Sequence, residues 1–134
     1  MKKTALLHPE LSQLIASLGH TDKIVIADCG LPIPRHVRRI DLALVQGIPS
    51  FVDTLQAVLS ELVVEAAVIA EEWLSKSDGV QERAFAMLDG LPITKLPHEE
   101  FKRFISEEAA AVIRTGENTP YANMILQAGV AFEI

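Results

Sequence analysis

The apolar stretches of this chain are short, and turn residues or amphipathic segments separate them. The longest, over residues 62–70, is interrupted by Glu65. Spanning a bilayer takes about 20 consecutive apolar residues, so the pattern predicts no membrane span. Short β-branched runs that alternate with helical segments are typical of an α/β fold. We therefore expect a three-layer α/β/α arrangement in which helices cover both faces of a mixed central sheet.

The positions of individual helices and strands are predicted from the spacing of apolar residues and from residues typical of helix ends. Pro9 suits a first helical turn, and apolar residues then recur at helical spacing until Gly19. Similar signals predict helices over 52–62, 80–88 and 98–105, and strands over 23–27, 39–44, 63–69, 93–96, 111–114 and 124–126. No repeat or flexible linker interrupts this series, which predicts one domain over residues 1–134.

Composition narrows the possible partners and the compartment. A net charge of −6, with one Trp and one Tyr, argues against a nucleic-acid surface. Cys29 is the only cysteine, so it has no internal disulfide partner, and the first apolar run stops at His8, too early for a signal peptide. We expect a cytoplasmic protein. Because 49% of the 134 residues are hydrophobic, we also expect copies of the chain to associate.

The chain lacks the short motifs of dinucleotide binding, nucleotide phosphate binding, zinc proteolysis and serine hydrolysis. What remains is a set of polar residues at the ends of predicted apolar elements: His20, Asp28, His98, Tyr121 and Asn123. Side chains at strand ends commonly form ligand sites in α/β folds. These five are the candidates for function.

Each candidate also has a structural interpretation. His20 follows a helix and would also serve as a C-terminal cap, and Asp28 precedes Gly30 as in an Asx-turn. An imidazole within reach of a carboxylate has its proton fixed on one nitrogen, which suits a general acid. We therefore hypothesise that Asp28 orients His20 for proton donation.

The remaining candidates are equally open. His98 would simply begin a helix, while Tyr121 and Asn123 would be turn residues or partners of sugar hydroxyl groups. The chain has one local basic cluster, formed by Arg35, Arg38 and Arg39. This cluster would either bind a phosphate group or form an ion-paired surface with Asp41. His20, Asp28 and His98 lack the spacing of metal ligands, so we expect no metal and no cofactor.

Four sequence blocks closely resemble the D-ribose pyranase family. They are Leu-Gly-His-Thr-Asp at 18–22, Ala-Asp-Cys-Gly-Leu-Pro-Ile-Pro at 27–34, the segment from Ile-Asp-Leu-Ala-Leu at 40–44 to Gly-Ile-Pro-Ser-Phe at 47–51, and the segment from Ile-Arg-Thr-Gly-Glu at 113–117 to Pro-Tyr-Ala-Asn at 120–123. The similarity runs over residues 2–132, nearly the whole chain. Members of this family are sugar mutarotases that interconvert the pyranose and furanose forms of D-ribose without a cofactor.

The resemblance implies a role for each candidate. It implies that His20 is the proton donor and that the sugar is bound by Asp28, His98, Tyr121, Ala122 and Asn123. It also implies pentamers stacked into decamers, in which a neighbouring subunit completes the cleft. We expect the C-terminal segment 124–132 and parts of the helix at 51–62 to bury apolar area between subunits.

Three alternatives stay open at this point. A non-catalytic sugar-binding partner of a ribose transporter would need the same binding residues but no titrating imidazole. An isomerase of phosphorylated sugars would use the arginine cluster. The related L-fucose mutarotases share the fold and the chemistry, so the reaction is better defined than the sugar.

Overall fold

A computed structural model describes residues 1–76 and 78–133 of the chain. Its helices are α1 (Pro9–Ser17), α2 (Phe51–Leu59), α3 (Glu71–Leu74), α4 (Gly79–Leu88) and α5 (His98–Glu108). Its strands are β1 (Lys23–Ala27), β2 (Arg38–Asp41), β3 (Val64–Ala70), β4 (Ile93–Leu96), β5 (Ala109–Arg114) and β6 (Met124–Ala128). Helices and strands alternate along most of the chain, as predicted.

The six strands form one sheet in the order β2-β5-β1-β6-β3-β4. Strands β1 to β5 run parallel to one another, whereas β6 is antiparallel to its neighbours β1 and β3. The parallel strands therefore end at the edge where β6 begins, which we call the carboxyl edge. The opposite edge, where the parallel strands begin, is called the amino edge.

Alternate residues of the central strands face two hydrophobic layers. Ile24, Ile26 and Ile113 pack with the apolar sides of α1, α2 and α4 on one face. Val25 and Val112 pack with α5 on the other face. This alternation follows from the two-residue period of a strand. The three-layer α/β/α fold with a mixed sheet is confirmed.

Helix starts agree with the capping signals in the sequence. The His8 ring accepts a hydrogen bond from the Leu11 amide ahead of Pro9, and the Ser50 hydroxyl accepts one from the Asp53 amide. These bonds satisfy amide groups that have no partner within a helix. The main differences from prediction are at element ends: β2 ends at Asp41 rather than at residue 44, α2 ends at Leu59 rather than at residue 62, and α5 extends to Glu108 rather than to residue 105. The short helix α3 was not predicted.

The predicted use of the apolar surplus needs correction. Strand β6 is buried between β1 and β3, and the apolar side of α2 lies in the same hydrophobic core, so both are covered by the chain itself. Only Val130 and Phe132 of the C-terminal segment are large, apolar and exposed. Within the described residues, no helix is long and apolar enough to cross a membrane.

Candidate active site

The carboxyl edge brings together five of the six predicted site residues. Asp28 follows β1, and His98 begins α5 directly after β4. Tyr121, Ala122 and Asn123 form the turn that leads into β6. Because β6 is antiparallel, its first residues lie beside the ends of the parallel strands. The direction of β6 therefore completes this cluster.

Asp28 and Asn123 are joined by two hydrogen bonds. The Asp28 amide donates to Asn123 Oδ1 at 2.8 Å, and Asn123 Nδ2 donates to Asp28 Oδ2 at 3.3 Å. Asp28 Oδ1 also accepts from the amides of Gly30 and Leu31, at 3.0 and 2.8 Å. The Asx-turn suggested by the sequence thus exists, and it holds a carboxylate in place at the end of β1. A cleft of about 210 Å³ opens beside Asp28 against the loop 117–120.

Burial affects the ionisation of Asp28. Removal from water raises the pKa of this carboxyl above its ordinary value, although the hydrogen bonds from Gly30, Leu31 and Asn123 and the nearby His98 oppose the shift. A carboxyl group with a raised pKa is a better proton acceptor than an ordinary aspartate. Asp28 is therefore able to bind a hydroxyl group and to take part in proton transfer.

His98 is held from several directions. Both oxygens of Glu72 accept from its backbone amide, at 2.9 and 3.0 Å, which caps α5 with a side chain of α3. The ring stacks against Phe101 and meets the Tyr121 ring edge-on, with centroids 5.0 Å apart. Nδ1 is buried and has no hydrogen-bond partner among the described residues. The ring is thus fixed within the cluster.

Side chains of the loop between β5 and β6 form hydrogen bonds with neighbouring elements. The Thr115 hydroxyl donates to the Ala27 carbonyl at 2.7 Å, and the buried Glu117 carboxylate accepts from the Phe51 amide at 3.0 Å. The backbone of Tyr121 has a φ of 64°, a left-handed conformation that residues other than glycine rarely adopt. These ties set the position of the Tyr121 ring and of the turn that carries it.

His20 lies at the amino edge, away from this cluster. Strand β1 separates it from Asp28, and its five residues span about 17 Å at about 3.3 Å per residue. Within one chain, the hypothesis that Asp28 orients His20 is therefore wrong. The carboxylate at the His20 ring belongs to Glu65 on β3, whose Oε2 lies 3.0 Å from Nε2. A groove of about 350 Å³ runs beside His20 and is lined in part by Val130 and Phe132.

Two members of the arginine cluster, Arg38 and Arg39, contact neighbouring side chains. Arg38 donates to Gln13 at 3.1 Å, and Arg39 lies 3.9 Å from Asp41. Asp41 also accepts two hydrogen bonds from Arg114, at 3.0 and 3.1 Å. The ion-paired interpretation fits Arg39, whereas Arg38 bonds to a neutral amide. In residues 1–76 and 78–133, no three His, Cys, Asp or Glu side chains are grouped to hold a metal ion.

Two residues at these sites were missed from the sequence. In the sequence, Glu65 is treated only as an interruption of an apolar run. A charged residue inside a predicted strand was the signal that could have identified it as functional. Glu72 had no signal, because α3 has only four residues. Both act through contacts between elements distant in sequence.

The fold and this site define a class of protein. It is a three-layer α/β protein whose carboxyl edge presents a carboxylate, an imidazole, a phenol and an amide, a set suited to the hydroxyl groups of a small polar ligand. The chain belongs to the RbsD / FucU transport protein family, whose model matches residues 1–131. The family resemblance seen in the sequence is confirmed.

Individual relatives cover almost the whole chain. A D-ribose pyranase of Laribacter hongkongensis is 57% identical over 132 residues, covering 98% of this chain and 100% of that protein. A D-ribose pyranase of Geobacillus kaustophilus is 54% identical and covers 98% of this chain and 96% of its own length.

Solved structures give the same picture. Bacillus subtilis RbsD complexed with D-ribose aligns with a TM-score of 0.92 and 48% identity, over 98% of this chain and 100% of that one. A fucose mutarotase from Streptococcus pneumoniae in complex with L-fucose aligns with a TM-score of 0.78 and 26% identity, over 92% and 94% of the two chains.

Proposed function

We propose that this protein is an isomerase that interconverts the pyranose and furanose forms of D-ribose. The observation that carries the proposal is the grouping of Asp28, His98, Tyr121 and Asn123 at the carboxyl edge of a fold shared with RbsD in complex with D-ribose. The relatives named D-ribose pyranase support the same reaction.

The roles of the site residues follow from their chemistry. The Asp28 carboxylate accepts hydrogen bonds from sugar hydroxyl groups, while His98, Tyr121 and Asn123 offer both donors and acceptors. Ala122 is buried in the same turn and contributes its backbone. Groups already held in position bind a ligand with less loss of conformational entropy.

Ring opening of a hemiacetal needs two proton transfers. The ring oxygen gains a proton as its bond to the anomeric carbon breaks, and the anomeric hydroxyl loses a proton as the carbonyl forms. The open aldehyde then rotates and closes through a different hydroxyl group. His20 donates the first proton, and a second group or water accepts the other. A positioned acid or base contributes about 10²- to 10⁴-fold to the rate. No cofactor is required.

The distance between His20 and the cluster requires a second subunit. Because the two lie at opposite edges of one sheet, head-to-tail packing brings His20 of one subunit to the Asp28 cluster of another. Such contacts form a ring when the rotation between copies closes, and a pentamer or decamer is the assembly proposed. Exposed apolar residues at both edges support this packing: Leu44, Val45 and Ile48 near the carboxyl edge, and Val130 and Phe132 beside His20.

D-ribose is favoured over L-fucose as the substrate. RbsD complexed with D-ribose is 48% identical to this chain, whereas the fucose mutarotase is 26% identical. The product is a substrate for phosphorylation of the sugar. Because that phosphorylation uses ATP, we place the protein in the cytoplasm. A panel of free sugars in one exchange assay tests this preference, with faster exchange of D-ribose than of L-fucose expected.

NMR saturation transfer between the ring forms of D-ribose tests the activity. The protein is expected to increase the exchange rate, and His20→Ala is expected to lower the protein-dependent rate by about 10²-fold or more. His36→Ala is the matched control, because His36 bonds to the Ser106 carbonyl beside the outer strand β2, whereas His20 contacts Glu65 on β3. A non-catalytic sugar-binding protein would bind ribose without increasing exchange, and a phosphosugar isomerase would bind ribose 5-phosphate more tightly than ribose.

A further inference from the structure

His20 and Glu65 are in close contact at the amino edge. Nε2 of His20 lies 3.1 and 3.0 Å from the two oxygens of Glu65. Gln127 on β6 donates a further hydrogen bond to Glu65 Oε1 at 2.6 Å. The carboxylate is therefore held by β6 while it faces the ring. Because β3 and β6 are neighbours in the sheet, the backbone sets this arrangement.

The contact identifies which nitrogen of His20 carries a proton. Hydrogen bonds from Gln127 and from His20 hold the pKa of Glu65 below its ordinary value, so the carboxylate is ionised and accepts only. Lys23 lies nearby and favours the same charge. A nitrogen that contacts an ionised carboxylate must donate, so Nε2 bears hydrogen in both the neutral and the charged ring.

We propose that Glu65 is a positioning residue that keeps the His20 proton on Nε2 and so makes Nδ1 the atom that exchanges a proton with the sugar. This inference rests on the proposed function and adds the atom through which His20 acts. The His20 side chain is about half exposed, with 52% of its surface accessible, so a sugar bound at a contact between subunits can reach the ring.

The proton transfers balance through Nδ1. The charged ring gives its Nδ1 proton to the ring oxygen as the bond from that oxygen to the anomeric carbon breaks. When a different hydroxyl attacks the carbonyl, the neutral ring takes the proton of that hydroxyl back on Nδ1. Meanwhile the acceptor of the anomeric proton returns it to the carbonyl oxygen. Glu65 stays ionised throughout and stabilises the charged ring.

Nitrogen NMR tests the proton position in the natural protein. Magic-angle-spinning ¹⁵N spectra of histidine-labelled protein, recorded at about pH 8.5, observe neutral imidazole rings. The chain has four histidines, and the signal missing from His20→Ala assigns His20. Hydrogen on Nε2 with bare Nδ1 is expected. Hydrogen on Nδ1 would overturn the proposal.

Exchange kinetics test the role in catalysis. Glu65→Gln keeps the shape and removes the charge, and it is expected to lower the protein-dependent exchange rate about 10-fold or more, without exceeding the loss in His20→Ala. The double variant should match His20→Ala within about two-fold, because Glu65 acts through His20. Glu107→Gln, at an exposed position on α5, is the matched control with no expected effect.

Two further outcomes separate this inference from the proposed function. If the natural protein accelerates exchange but Glu65→Gln is as fast, the Glu65 inference alone is wrong. If Glu65→Gln lowers the exchange rate by the same factor in the natural protein and in the His20→Ala variant, Glu65 has a merely structural role. This outcome also rejects the Glu65 inference. If the natural protein does not accelerate exchange at all, the proposed function fails, and the catalytic role of Glu65 with it.

Discussion

His20 and Asp28 flank the same strand, β1, and therefore lie at opposite edges of the sheet. His20 contacts Glu65, whereas Asp28 contacts Asn123. Neither residue has the other within reach in one chain. If both act on one sugar molecule, the two must come from different subunits.

Mixed assemblies test this arrangement. His20→Ala and Asp28→Asn are each expected to be nearly inactive, but subunits mixed in equal amounts and assembled together should regain activity. In a head-to-tail ring with random order, about a quarter of the contacts pair an intact His20 with an intact Asp28. Each variant assembled alone is the control. Absence of any recovery in assemblies shown to contain both variants would contradict a site shared between subunits.

Asp28→Asn separates binding from stability. Removing the charge is expected to weaken ribose binding about 10- to 100-fold, which corresponds to the loss of a hydrogen bond to a charged group. Calorimetric titration measures this change. Unchanged affinity would exclude Asp28 from the sugar site.

The same substitution should change how stability depends on pH. Burial raises the pKa of Asp28 from the ordinary value of 3.8, so between these two values the folded protein binds more protons than the unfolded chain. The contribution of Asp28 is then present below pH 3.8 and is lost as the pH rises through the raised pKa. Urea unfolding should show the natural protein losing stability relative to Asp28→Asn over that range. A gain would indicate a lowered pKa.

Asn123→Ala tests the bond that joins the turn to β1. The Asn123 side chain is buried and accepts from the Asp28 amide, which would lose its partner. We expect a loss of about 1–3 kcal/mol in the free energy of unfolding. Asn118→Ala, at an exposed position in the same loop, should stay within about 0.5 kcal/mol. Equal effects of the two substitutions would contradict the role given to this contact.

Gly116→Ala tests the close packing under the loop between β5 and β6. A Cβ at this position would lie 2.5 Å from the carbonyl oxygens of Val45 and Ile48, and backbone cannot move aside cheaply. A loss of about 1–3 kcal/mol is expected in chemical denaturation. Gly79→Ala is the control, because no atom lies within 4 Å of its added Cβ. Loss of stability in the control alone would overturn this account.

The sequence predicted the strands better than it predicted the contacts between them. Apolar runs mark β1 and β3 because both strands are largely buried. The direction of β6 is not visible, since an apolar run reads the same both ways. The His20–Glu65 contact depends on the placement of β1 and β3 on either side of β6, and it joins residues 45 positions apart. Asp28 and Asn123 are 95 positions apart, and only the sheet brings them together.

The central place of β6 has a consequence for how the molecule is made. This strand is last in chain order, yet it lies between β1 and β3, so before it is added the sheet consists of two separate parts, β2-β5-β1 and β3-β4. During synthesis, residues up to 128 must emerge from the ribosome before these two parts can join. The complete six-stranded sheet and the turn that carries Asn123 therefore cannot form until every other strand has been translated.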